Sequence, residues 1–122
     1  MITSIKFVSL PTRDQDRALA FYTEKLGFKV ITDQQMGLGQ RWIELQIGGA
    51  ASTRLVLFTP EGQEDRVGST FNGAFACDNV EKTYEELKGR GVEFVSAPKH
   101  EPWGTLAVLK DPDGNQIALS SR

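Results

Sequence analysis

Apolar residues recur along the chain with two different periods, and these periods predict its helices and strands. After Asp14, a favoured helix N-cap residue type, spacings of three and four predict a helix that ends at Gly27. Its apolar positions are Ala18, Leu19, Phe21, Tyr22 and Leu26. A second helix is predicted from Asp78 or Asn79 to the glycines at 89 and 91. Short apolar or alternating runs predict strands at residues 5–10, 28–31, 41–47, 54–58, 71–77, 92–95, 106–109 and 116–119.

The order of strand, helix and three strands occurs twice, which indicates an internal repeat. Asp14 and Asp78 lie 64 residues apart, as do Gly27 and Gly91, and an apolar, charged, apolar triplet follows each glycine. We therefore predict one α+β domain made of two half-modules, about 1–60 and 70–122, joined by the polar loop between them. A helix can cover only one face of each sheet, so the other face is available for a cavity or a partner.

Composition limits the classes of protein to which the chain can belong. Its 122 residues are enough for one domain with a substantial core, and 39% hydrophobic with 25% charged residues is typical of a soluble globular protein. A net charge of -2 with scattered basic residues argues against nucleic-acid binding. No apolar run approaches the roughly 20 residues of a membrane helix. No signal peptide is recognised, and a single cysteine, Cys77, suits a reducing compartment, so we expect a cytoplasmic protein.

Four segments carry a resemblance to a known family. They are ALAFYTEKLGF at residues 18–28, FACDNV at 75–80, GRGV at 89–92 and KDPDGN at 110–115. Together they resemble the vicinal oxygen chelate superfamily, which contains glyoxalases, bleomycin resistance proteins and dioxygenases. The resemblance covers nearly the whole chain. It implies two tandem βαβββ modules that form a curved mixed sheet around a cleft, and it implies a homodimer, since members commonly build clefts by pairing halves.

Enzymes of that family hold a divalent metal with one side chain from each of four strands. The corresponding positions here fall on Phe7, Val56, Asn72 and Ala118. Three of these side chains have no lone pair to offer, and a neutral amide is a poor sole ligand. A register error of one residue would not supply better ligands. The resemblance thus implies a member without metal or other cofactor, and His100, expected in a loop, is more typical of a solvated side chain than of a ligand.

Aromatic and polar residues remain as candidates for ligand binding. Trp42 and Glu44 lie on the strand face opposite Ile43 and Leu45, and one of these two faces should line the cavity. Trp103 follows Pro102 in a segment that resembles one found in bleomycin-binding members, and its indole could stack on a planar ligand. Either tryptophan could instead pack in the core or in a dimer interface.

Glu44 also has two interpretations. Burial beside an apolar wall would raise its pKa and suit it to act as a general base, whereas a strand glutamate of this kind is more often solvated. Cys77 has no neighbouring His, Lys or Arg in the sequence to lower its pKa, so a nucleophilic role is not expected.

Two functions therefore stay open at this stage. The first is metal-independent binding or sequestration of an aromatic or planar small molecule, with Phe7, Val56 and Ala118 as an apolar floor and Asn72 as a hydrogen-bonding group. If that ligand is cationic, Glu44 and Glu101 should attract it and added salt should weaken binding. The second is a metal-dependent lyase, isomerase or dioxygenase that uses other ligands. A purely structural dimer is a third, weaker possibility.

Overall fold

The computed structural model describes residues 1–37, 41–49, 53–60, 62 and 64–121. These residues divide into two compact units, Met1–Val67 and Gly68–Arg122. The predicted turn residues Leu38 and Gly39 lie outside the described residues, as do Ala50 and Ala51 of the next predicted loop. No helix in the described part of the chain is long and apolar enough to span a membrane.

Each unit contains one four-stranded mixed sheet and one α-helix among its described residues. The first unit consists of β1 (Phe7–Pro11), α1 (Gln15–Ala20), β2 (Lys29–Gln35), β3 (Arg41–Gln46) and β4 (Arg54–Phe58). The second consists of β5 (Ala74–Ala76), α2 (Val80–Gly89), β6 (Glu93–Glu101), β7 (Gly104–Lys110) and β8 (Gln116–Ser120). The sheet orders are β1-β4-β3-β2 and β5-β8-β7-β6, with the first pair parallel in each. The α+β class predicted from the sequence is confirmed, and the topology is the same in both units.

The helix starts and ends correct the predicted spacing of the repeat. Asp14 caps α1 by accepting a hydrogen bond from the backbone N–H of Arg17 at 3.0 Å. In the second unit the cap is Asn79 and not Asp78, since the Asn79 side chain accepts from the N–H of Lys82 at 3.0 Å. Gly27 and Gly91 both have positive φ, at 78° and 89°. The closing glycines are thus 64 residues apart, but the caps are 65 apart.

A π-helical turn accounts for this difference of one residue. It follows α1 at Phe21–Lys25, where the N–H of Leu26 donates to the carbonyl oxygen of Phe21 at 3.3 Å. Such a turn holds one more residue than an α-helical turn. The stretch from cap to glycine is therefore one residue longer in the first unit, yet it ends in the same left-handed glycine.

The buried face of each sheet lies against its helix. Ile43 pairs with Leu57 and Leu45 with Leu55, and all four side chains are fully buried. Arg41, on the same face of β3, binds Asp16 of α1 at 2.5 Å, which shows that this is the helix side. In the second unit Ala107, Leu109, Ile117 and Leu119 form the corresponding buried rows. Trp42 and Glu44 consequently lie on the face away from the helix.

The strands differ from the prediction mainly at the sheet edges. β6 runs to Glu101, well beyond the predicted end at residue 95, so the expectation that His100 lies in a loop is wrong. This strand contains Pro98, which an edge strand tolerates because the missing N–H would face away from the sheet. β5 is shorter than predicted, at three residues.

We predict that Asn79→Ala lowers the free energy of unfolding by about 1 kcal/mol, because one N–H of the first turn of α2 loses its acceptor. Asp78→Ala, its neighbour in the sequence, is the matched control and should cost less than half as much. Chemical denaturation of both variants measures the difference. Equal losses would show that the cap contributes nothing specific.

Candidate functional site

The face of the first sheet away from α1 carries four of the predicted site residues close together. Glu44 on β3 pairs with Val56 on β4, and Val56 pairs in turn with Ser9 on β1. Phe7 lies two residues before Ser9 and therefore on the same face. Glu44 is 9% exposed and Val56 is 1% exposed, so these two side chains are buried although α1 packs on the opposite face. We call Phe7, Trp42, Glu44, Arg54 and Val56 the first-sheet site.

Glu44 is held by two hydrogen bonds, one on each carboxylate oxygen. Arg54 Nη1 lies 2.6 Å from Oε2, and the indole Nε1 of Trp42 donates to Oε1 at 3.1 Å. These two bonds lower the pKa of Glu44 more than burial raises it. Glu44 is thus an ionised, fully engaged carboxylate, and the interpretations as a solvated side chain or as a general base with a raised pKa are both wrong.

An aromatic pair spans the middle of this site. The rings of Phe7 on β1 and Trp42 on β3 meet edge to face, with centroids 5.4 Å apart and planes at 86°. β4 lies between β1 and β3 in the sheet, so the pair bridges β4 and covers Val56. Trp42 itself is only partly exposed, and its packing role and a binding role are therefore compatible.

The second unit brings Asn72 and Ala118 to one cavity of about 520 Å³. Phe71 and Val108 add apolar surface to its lining, and Gln116 adds a second amide. A cavity with apolar walls and a few amides suits an uncharged polar group of a ligand. Sequence reasoning identified Asn72 and Ala118 but missed Gln116, which lies on the same face as Ala118 because the two are separated by one residue on β8.

Trp103 lies in the two-residue turn between β6 and β7 and is 48% exposed. His100 precedes this turn on β6, where its Nε2 lies 3.3 Å from Glu81 Oε1 and its Nδ1 lies 3.1 Å from Thr105 Oγ1. Both ring nitrogens of His100 are thus engaged within the second unit. Trp103 is available as an aromatic surface, but the described contacts assign no partner to it.

The four positions that correspond to family metal ligands do not suit a metal ion. Phe7, Val56 and Ala118 have no donor atom, and Asn72 offers only a neutral amide. In the described part of the chain, no three His, Cys, Asp or Glu side chains come together in a way that could hold a metal. The nearest carboxylate to these positions in the first unit, Glu44, is already bound by Arg54 and Trp42.

Arg54 is a second candidate residue, after Gln116, that the sequence pattern did not identify. It lies two residues before Val56 on β4, so the period of two places it on the face of Glu44. The run from 54 to 58 predicts a strand that is apolar on both sides, and that interpretation gives no role to its one charged residue. Diagonal pairing of opposite charges across neighbouring strands would have identified it.

Comparison with known proteins agrees with this fold. The sequence profile of the Glyoxalase/Bleomycin resistance protein/Dioxygenase superfamily matches residues 4–119. The uncharacterised protein YetH of Bacillus subtilis (strain 168) is 38% identical over 98% of both chains. A bleomycin resistance protein of Klebsiella pneumoniae is 34% identical over 91% of this chain and 86% of its own length.

A solved structure is similar over nearly the full length. TnmS3, described as an antibiotic binding protein from Streptomyces sp. CB03234, superposes with a TM-score of 0.87 and 35% identity, covering 98% of this chain and 95% of its own. The chain belongs to the glyoxalase/bleomycin resistance/dioxygenase superfamily, and it has the fold of antibiotic-binding members.

We predict that Glu44→Gln lowers the free energy of unfolding at pH 7 by about 1–2 kcal/mol, because the partly exposed Arg54 loses its charged partner. Since the folded pKa of Glu44 is depressed, its contribution is present above the unfolded pKa, near 4.3, and is lost as the pH falls through the lower folded value. The gap between wild type and variant should therefore narrow below about pH 4.

Denaturant titrations from pH 3 to pH 7 measure this gap. Glu86→Gln, at an exposed position of α2, is the control and should leave stability nearly unchanged at every pH. A gap that is constant with pH would contradict the assignment of a depressed pKa to Glu44.

Proposed function

We propose that the protein binds and sequesters a planar aromatic small molecule of the antibiotic type without using a metal. The observation that carries the proposal is the ring pair of Phe7 and Trp42, in which Phe7 stands at the position of a family metal ligand. Aromatic rings on a rigid sheet offer a stacking surface at low entropic cost. Within the second unit, Asn72 and Ala118 in the cavity and the exposed Trp103 are further candidate ligand contacts.

The descriptions of the relatives support binding of a small molecule rather than catalysis of a particular reaction. The two relatives are similar over most of the chain; one is named a bleomycin resistance protein, and TnmS3 is described as an antibiotic binding protein. No described side-chain arrangement favours the alternative of a metal-dependent lyase, isomerase or dioxygenase, because the donor atoms that such chemistry needs do not come together.

The electrostatics of the first-sheet site change the expectation about ligand charge. Glu44 was expected to attract a cationic drug, but its charge is balanced by Arg54, and Lys6 lies close enough to act on the same carboxylate. Of the two acidic residues proposed for this role, only Glu101 remains exposed. The proposed ligand is therefore recognised by its aromatic surface first, with no requirement for positive charge.

We extend the proposal to assembly and location. Exposed apolar side chains lie on and before β1, where Ile5 is 63% and Val8 is 37% exposed, and β1 is an edge strand. A homodimer would cover such a surface.

Burial raises the pKa of the single cysteine, Cys77, which keeps it an unreactive thiol suited to the cytoplasm.

We expect bleomycin or an anthraquinone to bind saturably and to quench tryptophan fluorescence, with the same affinity in the presence and absence of EDTA. Trp42→Leu should weaken binding about 5-fold to 30-fold, since loss of an aromatic contact costs roughly 1–2 kcal/mol. Elemental analysis of the purified protein accompanies the titration. Stoichiometric zinc, nickel, manganese or iron, or binding abolished by EDTA, would refute the proposal.

We expect sedimentation velocity to show a dimer that Ile5→Glu converts to monomer, because a carboxylate would be buried in the pairing surface. Val95→Glu is the matched control, since Val95 is 52% exposed on β6 of the other unit. A wild-type monomer, or an equal effect of both variants, would rule out pairing through this surface.

A further inference from the structure

The first-sheet site contains a cationic group, the guanidinium of Arg54, that stacking of an aromatic ligand does not require. The side chain of Arg54 is 37% exposed, and among the described residues its guanidinium makes one side-chain hydrogen bond, to Glu44. A guanidinium carries five N–H donors in a fixed planar arrangement. Most of its donors are therefore available, and the carboxylate that it does bind, Glu44, also accepts a hydrogen bond from Trp42.

Glu44 fixes the position of Arg54 relative to the indole. One oxygen of Glu44 accepts from Arg54 and the other accepts from Trp42, so the guanidinium and the indole N–H lie side by side on the same carboxylate. The backbone adds a second constraint, because the N–H of Arg54 donates to the carbonyl oxygen of Lys6 at 3.1 Å. The aromatic surface and the free donors thus have a fixed mutual geometry.

The charges near Arg54 favour the binding of a negatively charged oxygen atom over the binding of a cation. Arg54 and Lys6 together outweigh the single negative charge of Glu44. A net positive, partly buried site attracts an anionic or strongly polarised oxygen, and Arg binds carboxylates in a bidentate manner.

We propose that the first-sheet site recognises planar aromatic ligands that carry an ionised oxygen, with Arg54 as the oxygen-binding residue, Trp42 as the stacking surface and Glu44 as the positioning residue. This inference rests on the proposed function and specifies its ligand class. A ligand that stacks on Trp42 presents the oxygen on its rim to the free N–H groups of Arg54. Neutral and cationic analogues of the same ring system lose that contact.

Three probes with one ring system test the assignment: anthraquinone-2-carboxylate, anthraquinone-2-carboxamide and 2-(aminomethyl)anthraquinone. We expect the wild-type protein to bind the carboxylate about 10-fold or more tighter than the amine, with affinity that falls as sodium chloride is raised. Arg54→Met should weaken carboxylate binding about 10-fold and remove its salt dependence, while binding of the carboxamide changes less than about 3-fold. Arg54→Lys keeps the charge and the ion pair with Glu44, and should retain the salt dependence with intermediate affinity.

Arg41→Met is the matched control. Arg41 also binds carboxylates, Asp16 and Asp33, but it lies on the helix side of the same sheet. It should leave the order of the three affinities unchanged. Denaturation curves of each variant verify folding before titration.

Equal affinities of the three probes for wild type, or a carboxylate preference that survives Arg54→Met, would overturn the role of Arg54 and leave aromatic binding intact. Failure of all three probes and of bleomycin to bind would overturn the proposed function together with this inference.

Discussion

The ion pair between Glu44 and Arg54 determines the charge and the side-chain arrangement on the face of the first sheet away from α1. A carboxylate that is only 9% exposed is costly to keep ionised unless both oxygens are hydrogen-bonded, and Arg54 and Trp42 meet that requirement. The bond from Trp42 orients the indole, which in turn meets Phe7 edge to face. Removal of the Glu44 carboxylate, which is bonded to both partners, would therefore disturb the charge and the position of the indole together.

The two units show how one topology can carry different chemistry. Their strand orders correspond and their closing glycines share a left-handed conformation, so the scaffolds are equivalent. The first sheet nevertheless presents an aromatic pair and an ion pair, whereas the second unit presents amides beside Phe71 and Val108. Fold membership therefore defines the shape of the protein, and the side chains on the open faces define what it can bind.

Much of this architecture was predictable from local patterns. Alternation in β3 and β4 separates the helix-facing row, such as Ile43 and Leu45, from the row that contains Glu44, because side chains alternate across a strand. The state of Glu44 was not predictable, because it depends on Arg54, ten residues away in the sequence and on another strand. The extent of β6 was also missed, since a sequence pattern with Pro98 does not show whether a strand lies at an edge.

The π-helical turn after α1 has a consequence for how such a duplicated fold can vary. It absorbs a length difference of one residue between the helix cap and Gly27, and the strand that follows still begins from the same glycine conformation. Insertions within a repeat are thus tolerated where a helix can widen locally, without a shift of register in the sheet beyond. Each half of the duplication can consequently change in length at its helix while the strands of its sheet keep their alignment.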